Sequence, residues 1–194
     1  MDKFKNKYRV SSTRLQSWDY RNNGAYFITI CTANRKHLFG EIVKKLPSNL
    51  PTMQLNEIGK LAEKYWLEIP QHFPFVELGN FVIMPNHTHR ILIIDKQIID
   101  KQIETLQCNV STGDKNIGAK NEQMAKISPK PGYISTIIRS YKSVVSKNAR
   151  KIDQYFGWQS RFHDHIICNN ISFNKVQNYI TNNPLMWNED KFYK

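Results

Sequence analysis

Phe81-Val-Ile-Met-Pro-Asn-His-Thr-His-Arg-Ile-Leu-Ile-Ile94 decides how the rest of the chain is read. Two apolar runs flank a short polar centre. Proline donates no backbone hydrogen bond, so Pro85 breaks or turns the first run. The second run opens near His87 and is rich in Ile and Leu. Alternate side chains of an extended chain share a face. His87, His89, Ile91 and Ile93 therefore point one way, and Thr88, Arg90, Leu92 and Ile94 the other. Two strand steps separate the imidazoles by about 6.6 Å along the backbone. Rings that lean together converge on one cation, and neutral imidazole is a common transition-metal ligand. A His-x-His pair without a third ligand is equally well two polar residues opening a strand.

Composition narrows the partners. Lys and Arg number 28 against 16 acidic residues, a formal charge of +12, which favours a polyanion such as nucleic acid or an anionic membrane. No apolar run approaches the length of a membrane span. The N-terminus, Met-Asp-Lys-Phe-Lys-Asn-Lys, does not read as a secretory signal. Cys31, Cys108 and Cys168 form neither a disulfide framework nor a paired zinc spacing, which points to a reducing cytoplasm. The 194 residues fit one domain over 1–194.

Upstream, Lys3, Lys5, Lys7, Arg9, Arg14 and Arg21 make a basic segment, either a solvated tail or an arm on DNA. Asn22-Asn-Gly24 signals a turn, and residues 25–32 read as a buried strand. Leu55, Ile58, Ala62, Tyr65 and Ile69 recur at helical spacing, which predicts a helix over 52–69 that stops at Pro70. Residues 75–84 and 87–94 read as the next strands. Residues 95–130 lack periodicity and read as a mobile insertion.

Residues 133–151 predict an amphipathic helix with Ile134, Ile137, Ile138, Tyr141, Val144 and Val145 on its apolar stripe. Arg139, Lys142, Lys147, Arg150 and Lys151 stand off that stripe with no acid among them. They form either a solvated face or a phosphate-facing one. Residues 158–168 read as a fourth strand, which carries a rival pair, His163 and His165. A last helix is expected from an N-cap at Ser172 to Asn183, where Pro184 ends it. Tyr179 and Asn183 lie one turn apart on one face of that helix. Taken singly, they read as a half-buried aromatic edge and a helix C-cap.

The strand beginning Tyr26-Phe-Ile-Thr, the run Met84-Pro-Asn-His-Thr-His89, Trp158-Gln with Asp164-His-Ile-Ile167, and Tyr179-Ile-Thr-Asn-Asn-Pro184 occur in that order. The ordered set resembles the REP-associated tyrosine transposases, a branch of the single-tyrosine HUH transposases, from Tyr26 to about Trp187. The resemblance implies an α+β, ferredoxin-like antiparallel sheet with helices packed on one face. It implies a divalent metal, Mg²⁺ or Mn²⁺, on His87 and His89, with Asn183 completing the site and Tyr179 as nucleophile. The implied reaction is nicking and joining of hairpin-containing single-stranded DNA through a 5′-phosphotyrosine. Arg14 and the five cations of the basic helix would hold the DNA. The implied location is cytoplasmic, at the nucleoid, as a monomer or homodimer. Two positions depart from the family pattern. Thr88 is polar where a hydrophobe is usual, and Cys168 stands where relatives often have Arg. A hairpin-DNA binding protein that has lost cleavage is the alternative.

Overall fold

His87–Ile94 forms strand β5, and both of its faces are buried almost throughout. The computed structural model describes residues 18–20, 22–44, 49–97 and 134–193. β1 (Gly24–Cys31) pairs antiparallel with β5 along its whole length, setting Thr29 opposite His89 and Cys31 opposite His87. β4 (Val76–Ile83) flanks β5 on its other side, and β6 (His163–Ile167) flanks β1. The sheet order is β4-β5-β1-β6, with every neighbour antiparallel. Between β4 and β5, the Met84 amide donates to the His87 carbonyl at 2.8 Å across the turn at Pro85.

Helix α1 (Glu57–Leu67) lies between β1 and β4 in the chain, and α3 (Ile134–Ala149) between β5 and β6. Each is the crossover of a split βαβ unit, which gives the ferredoxin-like α+β arrangement. Both helices cover the face of β5 that carries Thr88, Arg90 and Leu92. Ile58, Ala62 and Trp66 of α1 meet Ile134, Ile137, Ile138, Tyr141 and Val145 of α3 over Tyr26, Ile28, Ile30 and Leu92. Arg90 is buried in this core, with its guanidinium 4.3 Å from the Trp66 ring and hydrogen-bonded to Tyr141 Oη at 2.6 Å. Tyr141 Oη donates in turn to the Ala62 carbonyl at 2.9 Å. Tyr141 is therefore a core residue with a satisfied hydroxyl.

The sequence expectation of helices on one face holds for α1 and α3. Helix α4 (Asn170–Asn182) lies on the opposite face, where Phe173, Val176 and Ile180 pack on Ile91, Ile167, Phe27 and Val82. Its reason is β5 itself: a strand with Ile91 and Ile93 on one side and Leu92 and Ile94 on the other needs cover on both.

Other boundaries also differ from the sequence expectation. Residues 52–55 belong to strand β3 (Pro51–Leu55), which pairs with β2 (Gly40–Lys44), not to the start of α1. Asn56 separates the two by capping α1, its Oδ1 accepting from the Gly59 amide at 2.9 Å. Ile69 and Pro70 sit in a short helix α2 (Ile69–His72), where proline in the first turn loses no helical bond. Of the expected fourth strand only β6 is regular, with Trp158 making one bridge to Thr32. Asn169, not Ser172, caps α4, its side chain accepting from the Ser172 amide at 2.8 Å. Arg14, Arg21 and the other cations of the N-terminal basic segment, and the expected insertion beyond residue 97, lie outside the described residues.

Candidate active site

His87 and His89 project from β5 onto the face that carries α4, with ring centroids 4.5 Å apart. Each ring is held through Nδ1. His87 Nδ1 donates to Asn86 Oδ1 at 2.9 Å, and His89 Nδ1 lies 2.9 Å from Thr29 Oγ1. Asn86 is itself fixed, its Nδ2 donating to the Phe192 carbonyl at 2.8 Å. The first bond leaves the Nε2 lone pair of His87 free, and the tautomer of His89 that donates from Nδ1 to Thr29 leaves its Nε2 free as well. His87 Nε2 is buried with no hydrogen-bond partner. Burial pushes the His87 and His89 pKa values down to about 3 and about 2, with neighbouring positive charge adding to the effect. Both imidazoles are neutral near pH 7, the form in which a nitrogen donates to a metal.

Helix α4 brings Tyr179 over this pair. Tyr179 Oη lies 3.1 Å from His89 Nε2, and its ring meets Phe27 edge-on at 6.0 Å. The side chain remains 44% exposed, so a large substrate can reach it. Burial, followed by the Asp190 carboxylate, raises the phenol pKa to about 12.

Asn183, one turn further on, is buried, and its Nδ2 donates to Asp190 Oδ2 at 3.0 Å. Its Oδ1 has no partner. The chain then reverses through a 3-10 turn (Trp187–Glu189), which sets the Trp187 ring 5.9 Å from His87 and returns Asp190 to the histidines. A carboxylate oxygen of Asp190 and a ring nitrogen of each histidine all lie within 4.8 Å of one another. Asp190 Oδ1 also accepts from the Phe192 amide at 2.7 Å, and the Phe192 ring lies 4.4 Å from that of His87. Sequence reasoning did not single out Asp190. The one signal was an acid a short way past Pro184, with no spacing rule to attach it to β5.

The donors fit a divalent cation. Two neutral nitrogens and one carboxylate oxygen lie close enough together to share one ion, and two buried acceptors, His87 Nε2 and Asn183 Oδ1, have no hydrogen-bond partner. His163 and His165 are exposed on β6 and are not part of this cluster. His163 faces Thr29 across the β1–β6 pair, and so lies on the same sheet face as His89, with Thr29 between them.

An uncharacterised protein of Haemophilus influenzae is 37% identical over 186 residues, covering 94% of this chain and 92% of its own. Among solved structures, a REP-associated tyrosine transposase bound to a REP hairpin superposes with a TM-score of 0.53 at 17% identity, covering 94% of this chain and 77% of that one. The chain belongs to the family of the Haemophilus protein and has the fold of a REP-associated tyrosine transposase. A transposase-related structure from Deinococcus radiodurans, with a TM-score of 0.43 at 12% identity over 88% of this chain and 97% of that one, is too distant to argue from. No family profile matches the chain.

On this transposase fold the basic helix is only partly open. Arg139, Lys147, Arg150 and Lys151 are exposed. Lys142 is half-buried, donates to the Gln159 carbonyl at 2.6 Å, and has its pKa lowered by burial. Arg150 Nε donates to the Phe156 carbonyl at 3.1 Å. Both cations therefore also brace the segment that follows α3. Cys168 is an exposed free thiol. No helix among the described residues is long and apolar enough to cross a membrane.

Proposed function

We propose that this protein nicks and rejoins single-stranded DNA next to a hairpin, through a covalent bond between Tyr179 and a 5′-phosphate. The observation that carries the reading is the approach of Tyr179 Oη to His89 Nε2 at 3.1 Å, within the cluster His87, His89 and Asp190. The fold shared with a transposase solved on a REP hairpin, and the formal charge of +12, support DNA as the substrate.

His87, His89 and Asp190 would hold the divalent ion. Asn183 orients Asp190 through Nδ2 and offers Oδ1 as a further donor. A bound ion supplies a Lewis acid for a non-bridging phosphate oxygen. Two imidazoles favour Mn²⁺ over Mg²⁺, which prefers oxygen ligands. The resemblance to the family gave three neutral ligands. A carboxylate in the set lowers the net charge of the loaded site and strengthens its hold on the ion.

The chain's own residues supply the remainder. Tyr179 Oη attacks phosphorus, the bond from phosphorus to the 3′-oxygen breaks, and that oxygen leaves as a 3′-hydroxyl after taking up a proton. The bond energy is kept in the phosphotyrosine, so a 3′-hydroxyl can reverse the step without ATP. The phenol is protonated near pH 7, and the His89 Nε2 lone pair that faces Tyr179 Oη in the metal-free protein would be occupied by the ion, so the phenol gives its proton to solvent as the bond to phosphorus forms. Phe27 and His89 hold the ring, which keeps the attacking oxygen in place.

Incubation with a labelled hairpin bearing single-stranded flanks, with Mn²⁺ or with EDTA, tests this. Mn²⁺-dependent release of a fragment ending in a 3′-hydroxyl is expected. Hairpin binding without cleavage under every metal condition would favour the alternative of a binding protein, to which the departure at Cys168 already points.

A further inference from the structure

Next to the histidines a cleft of about 510 Å³ opens between residues 32–35 and residues 158–160. Its two walls are tied together. Thr32 bridges to Trp158, the Ala33 amide donates to the Gly157 carbonyl at 2.8 Å, and the Gln159 amide donates to the Cys31 carbonyl at 2.9 Å. The cleft is therefore a fixed feature of the fold.

It is also joined to the candidate active site. The Thr32 amide donates to the Asn86 carbonyl at 2.9 Å, and Asn86 holds His87. Further along the same wall, the Arg35 guanidinium stacks 5.1 Å from the Phe192 ring, which lies against His87, and donates to the Lys191 carbonyl at 3.5 Å. Both links run from the wall at residues 32–35 to His87, each through one intervening residue.

The lining is chemically selective. Four of its lining residues, Arg35, Asn34, Gln159 and Ser160, carry a guanidinium, two carboxamides and a hydroxyl, and none of the lining residues is acidic. The Lys142 ammonium reaches the Gln159 carbonyl and adds positive charge behind that wall. Asn34 and Arg35 take left-handed φ values of 55° and 54°. Asparagine tolerates that region, whereas arginine in it is strained, and such strain concentrates at ligand-contacting loops.

We propose that this cleft seats one unpaired nucleotide of the strand that Tyr179 cleaves, its phosphate on Arg35 and its base edge on Asn34 and Gln159. The proposal rests on the DNA-processing reading above. Guanidinium pairs with phosphate through charge-assisted hydrogen bonds. Carboxamides present a donor and an acceptor together, as a base edge requires. A paired nucleotide has its Watson–Crick edge occupied, so a cleft that reads that edge selects the single-stranded flank over the stem.

Fluorescence anisotropy in EDTA, where cleavage is silent, tests the assignment with two labelled hairpins of one stem, with and without single-stranded flanks. Wild-type protein is expected to bind the flanked hairpin more tightly. Arg35→Ala is expected to weaken flanked binding about tenfold and to leave blunt binding unchanged. Gln159→Ala should reduce the same advantage, and it spares the fold because Gln159 holds Cys31 and Lys142 through its backbone. Equal wild-type affinity for both hairpins overturns the cleft assignment but leaves the proposed function standing. Equal losses on both hairpins in the variants overturn it too. No wild-type binding to either hairpin overturns the proposed function as well.

Discussion

Asp190→Asn separates metal binding from folding. In the metal-free protein Asp190 accepts from Asn183 Nδ2 at 3.0 Å and from the Phe192 amide at 2.7 Å. Asparagine keeps the second bond through its own Oδ1. It keeps the first if the Asn183 amide turns over, which offers the now unpartnered Asn183 Oδ1 as acceptor. Two charge-assisted bonds become neutral ones, a loss of about 1–2 kcal/mol in total. In a chain of this size that lowers the melting temperature by roughly 5 °C. The loss of metal affinity is larger, because the variant removes the only anion among the three clustered ligands. Loss of a group that merely orients a ligand weakens metal binding about 10–100-fold, so loss of the charged ligand should cost at least about 100-fold. At a Mn²⁺ concentration 100 times the wild-type dissociation constant, the ion stabilises wild type by about 2.7 kcal/mol and the variant by only about 0.4 kcal/mol. Thermal melts across a Mn²⁺ titration read this difference. Equal Mn²⁺ stabilisation of both proteins would show that Asp190 is not a ligand.

Three further outcomes are expected. Metal-free protein should lose stability below pH 6.5, because the unfolded chain protonates His87 and His89 while the fold holds their pKa values at about 3 and about 2. Above pH 6.5 both states are neutral there and the effect vanishes. Urea melts in EDTA should show roughly 3 kcal/mol less stability at pH 5.5 than at pH 7.5, and equal stability would contradict the buried neutral assignment. Tyr141→Phe should retain DNA cleavage but cost about 1–3 kcal/mol in a urea melt, since it strips the buried Arg90 guanidinium of its hydroxyl partner. Hairpin affinity should fall steeply with salt, by about 0.7 in log–log slope for each phosphate neutralised, and a flat dependence would remove the electrostatic argument.

The alternation of β5 was legible because a strand's two-residue period sorts His87 and His89 from Thr88 and Arg90 directly. The apolar stripe of α3 was legible for the same kind of reason, and it correctly assigned Tyr141 to the core. The one-turn spacing of Tyr179 and Asn183 placed them together, Tyr179 on α4 and Asn183 at its C-cap, although which sheet face α4 covers was not legible. That face depends on long-range burial of Ile91 and Ile167. The β2–β3 hairpin was lost because Leu55 and Ile58 share a helical spacing, which masked the alternating exposure of Thr52 to Leu55 and the capping signal at Asn56. Asp190 was beyond reach of any period. Only the reversal after Pro184 and the packing of Trp187 and Phe192 on His87 return it to the histidines.

The central claim is that Tyr179 alone among nine tyrosines forms the bond to DNA. Wild-type protein and Tyr179→Phe are each incubated with Mn²⁺ and a flanked hairpin, denatured, digested and mapped by peptide mass spectrometry. The expected result is one nucleotide-modified peptide, carrying Tyr179, that is absent from the variant, while the variant binds the hairpin as wild type does. A modified peptide carrying any other tyrosine, or a denaturation-resistant adduct that persists in Tyr179→Phe, would contradict the account.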